Sequence, residues 1–349
     1  MSRPRLAIGP ANYAGQAFAW AEAVNRNLPA SAWSFTANRL RHSGYAFDAH
    51  RRLSVPQFYL PLLRTARARR FVADATHLIL DGFRPVLYDR RPDGFARQAR
   101  ALAERGPTLA LLAHGTDVRD PDAHMERMQH SYFREGDAAW LERCRVTTRR
   151  NRDTAADLGV PVFVSTPDML RDLPQATWLP VTLDVDAWHQ EAPLLERSRP
   201  RVLFVPSQRT PPIKGTRYVD PVLRRLDAAG VIEYVAPTGV PHAQMADLVK
   251  SVDVVVDQLL FGSYGVAAIE AMAAGRVVVG NISTLDTTLM PELPHIEHAE
   301  PDTLADVITS MVPRADELRT AATENVEFVR RWHDGREAAS RLSGFLGLG

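Results

Sequence analysis

Short runs of β-branched and aliphatic residues alternate along the chain with longer stretches whose apolar positions recur every three or four residues, the periods of strand and helix. In the first half Leu6–Gly9, Trp33–Thr36, His77–Leu80, Leu109–Ala113 and Val162–Val164 predict strands. Between them Gln16–Asn27, with Phe18, Ala21, Val24 and the following Leu28 on one face, and Phe95–Arg105 predict amphipathic helices. The second half restarts the theme, with strands at Val202–Val205, Ile232–Val235, Val252–Val256 and Val277–Gly280 and helices at Tyr218–Ala229, Ala243–Lys250 and Val266–Ala274. Helix is also predicted from Asp316 to Leu346, broken near His333–Gly335. Such alternation implies parallel sheets covered by helices on both faces.

The pattern lapses at Pro180–Pro200, where Pro180, Pro193, Pro200 and the charged run Glu196–Arg199 separate the two series. The expectation is an α/β protein of two doubly wound, Rossmann-like parallel-sheet domains facing a cleft. The first covers 1–182 and the second 183–330, with 331–349 a closing helix against the first domain. A length of 349 residues allows two full hydrophobic cores. In such sheets ligands gather beyond the C-terminal ends of the strands, so the loops that follow strands are where chemistry is sought.

Several classes drop out early. One cysteine, Cys144, excludes an intrachain disulfide and a multi-cysteine zinc site. No apolar run approaches the ~20 residues of a membrane span, and Leu6-Ala7-Ile8 is too short for a signal-peptide core, so the chain reads as cytoplasmic. The loop Gly9–Gly15 lacks G-x-G-x-x-G spacing, and Lys214-Gly215-Thr216 lacks the glycine-rich approach of a P-loop. A nicotinamide dehydrogenase and a P-loop kinase or ATPase are disfavoured. There is no H-E-x-x-H, no G-x-S-x-G and no His/Cys cluster, and no metal site is expected. Asp184-Val185-Asp186 and Asp120-Pro121-Asp122 read as turn and cap residues.

The net charge of +1 conceals an asymmetry: residues 1–182 carry 26 basic and 18 acidic side chains, residues 183–349 carry 16 and 23. Arg64, Arg67, Arg69 and Arg70 are spaced to share a helical face. The basic half suits an anionic substrate or peripheral contact at the inner face of a membrane, the other reading being a solvated arginine-rich surface. Only Lys214 and Lys250 are lysines, which draws attention to Lys214.

Two loops carry the candidate chemistry. The strand at Val202 runs into a loop with Arg209 and Lys214 five residues apart, and Gly215 frees the backbone beside the lysine. An arginine fork and a compact ammonium at a cleft mouth suit a diphosphate; the alternative is a surface loop with ordinary charges. The strand at Val252 ends in Asp257-Gln258, followed by Gly262-Ser263-Tyr264-Gly265 and the helix opening at Val266. Small residues before a helix expose its first amides, and its start carries about half a positive charge, a docking place for an anion. Glu270, one turn in, is placed to reach nucleotide hydroxyls; set among Ala268, Ile269, Ala271 and Met272, its carboxylate needs a partner.

Lys214-Gly215-Thr216 followed by Tyr264-Gly265-Val266-Ala-Ala-Ile-Glu270-Ala-Met-Ala-Ala-Gly275 resembles the nucleotide-sugar domain of the retaining glycosyltransferases of family 4, which have the GT-B fold. The resemblance covers most of 200–283. It is weaker before that, in Gly15 of the first loop, in His114-Gly115-Thr116-Asp117, and in Val164–Asp168 through Trp178–Pro180.

It implies transfer of a sugar from a nucleoside-diphosphate sugar to a hydroxyl with retention of anomeric configuration, as in a hexosyltransferase, without a cofactor or catalytic metal. Arg209 and Lys214 would bind the diphosphate, Glu270 the ribose, and His114 would stand beside the transferred sugar and acceptor. Gly15, Gly215, Asp257, Gly262, Ser263, Tyr264, Gly265 and Val266 would line the donor. The partners implied are the nucleotide-sugar donor and a hydroxyl acceptor, whether small molecule, lipid or polysaccharide, and no nucleic acid. The chain departs from the family where a second glutamate normally precedes Glu270 by eight residues: Gly262 stands there, and Ser263-Tyr264-Gly265 replaces Gly-Phe-Gly. Asp257, Gln258 and Ser263 are the polar side chains left to contact sugar hydroxyls. Two rivals stand beside this expectation. One is a hydrolase or epimerase of nucleotide sugars, the other a non-catalytic nucleotide-binding descendant.

Overall fold

The computed structural model describes residues 3–37, 47–53, 72–87, 89, 91–206, 213–237 and 239–349. The candidates Arg209 and Arg64, Arg67, Arg69 and Arg70 lie outside the described residues. Two compact units are formed. The first comprises Met1–Asp120, Val146–Leu183 and Asp334–Gly349, the second Pro121–Arg145 and Asp184–His333.

In the first unit β1 (Arg5–Gly9), β2 (Ser31–Ala37), β3 (Arg51–Leu53), β4 (His77–Asp81), β5 (Thr108–Ala113), β6 (Val162–Val164) and β7 (Thr177–Trp178) build a sheet of order β3-β2-β1-β4-β5-β6-β7. All its pairs are parallel; Ile8 lies opposite Ser34 on one side and Ile79 on the other. Leu6, Ala7 and Ile8 are all fully buried, so both faces of β1 are covered, which is why this strand reads as a continuous apolar run rather than an alternation.

In the second unit β8 (Arg201–Phe204), β9 (Glu233–Val235), β10 (Val254–Val256), β11 (Val277–Gly280) and β12 (Glu297–His298) form a parallel sheet of order β12-β11-β10-β8-β9. Each sheet grows first to one side of its opening strand and then to the other. Because parallel crossovers are right-handed, that reversal places helices on both faces and opens a crevice at the reversal point. The crevice lies between β1 and β4 in the first unit, and between β8 and β10 in the second.

The first core gathers Leu6, Ile8, Trp20, Val24, Ile79 and Leu112 with Ala338, Leu342 and Leu346 from the end of the chain. The helix Arg336–Ser343 is held there by polar contacts as well: the Arg341 guanidinium lies over the Trp178 ring and donates to the Trp178 carbonyl at 2.8 Å. The Gln16 side chain bonds both the N–H and the C=O of Thr182, fixing the end of this unit's second segment. The second core joins Val202, Phe204, Val254, Val256, Val277 and Val279 to Tyr132 and Phe133, so residues 121–145 are part of that unit's interior.

Most expected elements are present within two residues of the expected ends. The helix Ala138–Leu158 is absent from the pattern because its buried positions, Thr148, Asn151, Thr154 and Ala155, are small or polar and leave no hydrophobic period. In the helix Gln16–Asn27 the buried face is Ala17, Trp20, Ala21 and Val24, while Phe18 turns to stack on His50 at 4.6 Å. Among the described residues no helix is long and apolar enough to cross a membrane.

Candidate functional site

At the crevice of the second unit, β8 leads to Lys214 and β10 leads to the 257–265 loop. Gly215 has φ +80° and precedes the helix Thr216–Ala228; a Cβ there would lie 3.2 Å from Leu260, so the turn after Lys214 packs directly on the second loop. Lys214 Nζ stands 3.7 Å from Asp257 Oδ1, an ion pair in which the aspartate side chain is buried and the lysine side chain is 23% exposed. The other carboxylate oxygen accepts from Gly265 N–H at 3.2 Å, at the entrance of the helix Val266–Ala273. Asp257 thus links the lysine to the amino end of that helix. A Cβ on Gly265 would lie 2.8 Å from the buried Gln258 amide, so Gln258 is packed at the same entrance. Val266 is half-buried and opens the helix, whose first amides have no partners within it. Glu270, half-buried, lies one turn further in.

The remaining candidates on this loop are turned inward. Tyr264 is buried, its hydroxyl 3.3 Å from His333 Nε2 and its ring edge-on to Phe328 and His333. It anchors the loop to the helix Ala315–Trp332 and its close. Ser263 is 1% exposed and its hydroxyl has no hydrogen-bond partner among the described residues. Gly262 has φ +78°, and a Cβ on it would lie 2.6 Å from Met128 Sδ and closer still to Thr284 Cγ2. Its carbonyl accepts from Thr284 Oγ at 2.7 Å and from Thr284 N–H at 3.1 Å. A side chain here would require a left-handed backbone and a shift of both Thr284 and Met128.

In the first unit the crevice is organised by Asp81 at the end of β4. Fully buried, it accepts from the Ala11 and Asn12 amides of the loop after β1, at 2.6 and 2.7 Å. His114 follows β5. Its ring meets the edge of Tyr13 at 5.1 Å and stacks on Trp20 at 5.9 Å, and its Nε2 lies 3.6 Å from Asp81 Oδ2. That separation is beyond hydrogen-bond reach, and among the described residues Nε2 has no hydrogen-bond partner. Asp117 accepts from both the His114 and Gly115 amides, so the loop holds itself in shape. Gly15, at φ +73°, precedes the helix Gln16–Asn27 and packs on Phe47.

Beneath His114 lies a pair the sequence pattern does not disclose. Arg119, fully buried, contacts Asp168 Oδ2 through Nε at 2.8 Å and Nη2 at 2.6 Å, and a Cβ on Gly115 would sit 3.0 Å from its Nη1. The pair ties the loop after β5 to the loop after β6. Asp184 caps the helix Val185–Trp188 by accepting from Ala187 N–H, while Asp120 and Asp122 pair with Arg152 and Arg145. Among the described residues no three His, Cys, Asp or Glu side chains gather as a metal-ion site.

The chain matches no family model and no curated protein. Among solved structures it is similar over 99% of its length to sucrose-phosphate synthase from Thermosynechococcus elongatus, at 13% identity, 98% coverage of that chain and a TM-score of 0.61. It is similar at 11% identity and a TM-score of 0.63 to an alpha-glucosyltransferase in complex with UDP and a DNA containing an HMU base, with all of that chain covered. HepE from Anabaena, in complex with UDP and glucose, matches at 10% identity and a TM-score of 0.60, again over the whole of that chain. The fold is therefore GT-B: two parallel-sheet, Rossmann-like α/β domains of the kind these glycosyltransferases possess.

Proposed function

We propose that this chain is a glycosyltransferase that moves a sugar, as a hexosyltransferase does, from a nucleoside-diphosphate sugar to a hydroxyl with retention of configuration and without a metal ion. The observation that carries the reading is the linkage Lys214–Asp257–Gly265, which brings a cation and the amino end of a helix together on adjacent loops at the crevice of one sheet. Neighbours of the same fold that hold UDP make a nucleoside diphosphate the first ligand to test.

In this reading the second unit takes the donor. When the bond between the anomeric carbon and the phosphate oxygen breaks, negative charge builds on the outer phosphate. Lys214, Arg209 and the first amides of the Val266 helix offset that charge, and fixed dipoles do so without reorganising. Glu270 receives the ribose hydroxyls, and Asp257 and Gln258 are assigned to those of the sugar. The acceptor oxygen bonds the anomeric carbon on the face the phosphate leaves, and its proton passes to the departing phosphate oxygen, so no protein nucleophile takes part. The first unit receives the acceptor beside His114, and the basic balance of residues 1–182 suits an anionic or membrane-borne one.

The test is a thermal-shift panel of UDP, GDP, ADP and TDP followed by transfer assays with the matching sugar donors. At a hundredfold excess over Kd a ligand of the folded state adds about 2.7 kcal/mol. A panel without any shift refutes the reading. Donor turnover without an acceptor would make the chain a hydrolase or epimerase; binding without turnover would make it a non-catalytic descendant, the reading that glycine at 262 favours. Transfer should survive a chelator, and loss restored by a divalent ion would overturn the metal-free step.

A further inference from the structure

Three consecutive carbonyls of the donor loop are held from outside the loop. Leu260 C=O accepts from Tyr132 N–H at 3.0 Å, Phe261 C=O from His124 Nε2 at 3.1 Å, and Gly262 C=O from Thr284. A trans peptide points its N–H opposite to its C=O. Drawing back the carbonyls of Phe261 and Gly262 therefore turns the amides of Gly262 and Ser263 the other way, and neither donates a hydrogen bond among the described residues. With the first amides of the Val266 helix they offer N–H groups to an anion, while the Gly265 amide between them is held by Asp257.

Two of these three contacts come from residues 121–135, where among the described residues His124 supplies a side-chain donor, to the Phe261 carbonyl. His124 is 1% exposed and packed edge-on against Tyr132 and Phe133. Its tautomer follows from its partners. A carbonyl only accepts, so Nε2 carries the proton; Ser131 Oγ, which accepts from Phe133 N–H at 3.2 Å, donates to Nδ1 at 2.7 Å. A relay of fixed direction runs from the Phe133 amide through Ser131 and His124 to the Phe261 carbonyl.

We infer that His124 is a positioning residue for the donor's diphosphate: by holding the Phe261–Gly262 peptide it sets the direction of the amides that meet the outer phosphate. The inference rests on the proposed nucleotide site. Its consequence is selective, because a misaimed amide weakens contact with the outer phosphate and leaves the rest of the nucleotide alone.

The test compares two near-isosteric variants. His124→Gln places an amide N–H near the Nε2 position and keeps a donor for Phe261; His124→Asn reaches only the Nδ1 position and loses it. Affinities for UDP and UMP are measured by calorimetry on the full chain, with thermal unfolding alongside. The expected result is a UDP:UMP affinity ratio reduced about tenfold in His124→Asn and restored to within about threefold of wild type in His124→Gln, whatever the two variants do to the unfolding temperature. A ratio unchanged in His124→Asn, or one that Gln fails to restore, overturns the inference. Failure of the wild-type chain to bind any of the four nucleoside diphosphates would instead remove the donor-site reading beneath it.

Discussion

Replacing Gly262 by alanine puts one methyl group where the structure has no room. Two costs add. The backbone at φ +78° is left-handed, which charges a residue with a Cβ about 1–2 kcal/mol relative to glycine. The new Cβ would also stand 2.6 Å from Met128 Sδ and in hard contact with Thr284, both in buried surroundings, and such overpacking costs about 1–3 kcal/mol. Thr284 cannot retreat freely, since its hydroxyl is bonded to the Gly262 carbonyl at 2.7 Å. The sum, about 2–5 kcal/mol, corresponds to a fall of roughly 4–20 °C in the unfolding temperature of a domain this size. Differential scanning calorimetry of the wild type, Gly262→Ala, Met128→Ala and the double variant is the assay. The double variant should be more stable than the two single losses added together, because Met128→Ala removes one of the two clashes, while the backbone cost persists. A Gly262→Ala protein melting within a degree of wild type would refute the packing argument.

Three further outcomes are expected. Lys214→Ala should lower transfer by about 10²–10³ while costing only ~1 kcal/mol of stability, because the lysine is partly exposed and Asp257 keeps its bond from Gly265; equal loss of both would mean the lysine is merely structural. Arg119→Met strands the buried Asp168 carboxylate and should cost about 3–5 kcal/mol, much of it regained by adding Asp168→Leu; a double variant no better than the single would refute the pairing argument in thermal melts. The hydrogen bond from Arg224, with a smaller one from Tyr234, holds the Asp220 carboxyl below its usual range although burial works the other way. A depressed folded value means stability that is present at neutral pH and lost as pH falls through it. Asp220→Asn should therefore melt slightly below wild type at pH 7, the gap closing as pH falls through the carboxyl's lowered value, and a gap that widens with acid would reverse the sign.

The parts of the fold legible in sequence are those where burial imposes a period or a run. Val202–Phe204 and Val254–Val256 are covered on both faces, so their unbroken aliphatic character announces a parallel strand. The edge strands Arg51–Leu53, Thr177–Trp178 and Glu297–His298 are too short to carry any period. In the site, Lys214, Asp257 and Gly265 were identifiable because they follow strands and precede helices, and the structure brings these three together. His124 and Arg119 were not. One sits in a stretch with no period, the other reads as an ordinary surface charge, and only tertiary contact gives either a purpose. Tyr264 shows the converse, since motif position suggested a donor contact and packing sends its ring to Phe328 and His333.

Residues far along the sequence complete what residues 6–20 begin. Ala338, Leu342 and Leu346 fill the interior around Leu6, Ile8 and Trp20, so on the ribosome this sheet waits for residues 338–346 before its hydrophobic centre is sealed. No single cut releases either half intact: severing the chain after Leu183 deprives one fragment of its closing helix and the other of Tyr132 and Phe133. Expression of separate halves should therefore yield insoluble material, whereas a chain permuted to carry Asp334–Gly349 ahead of Arg5 keeps the elements of the first core close together in synthesis.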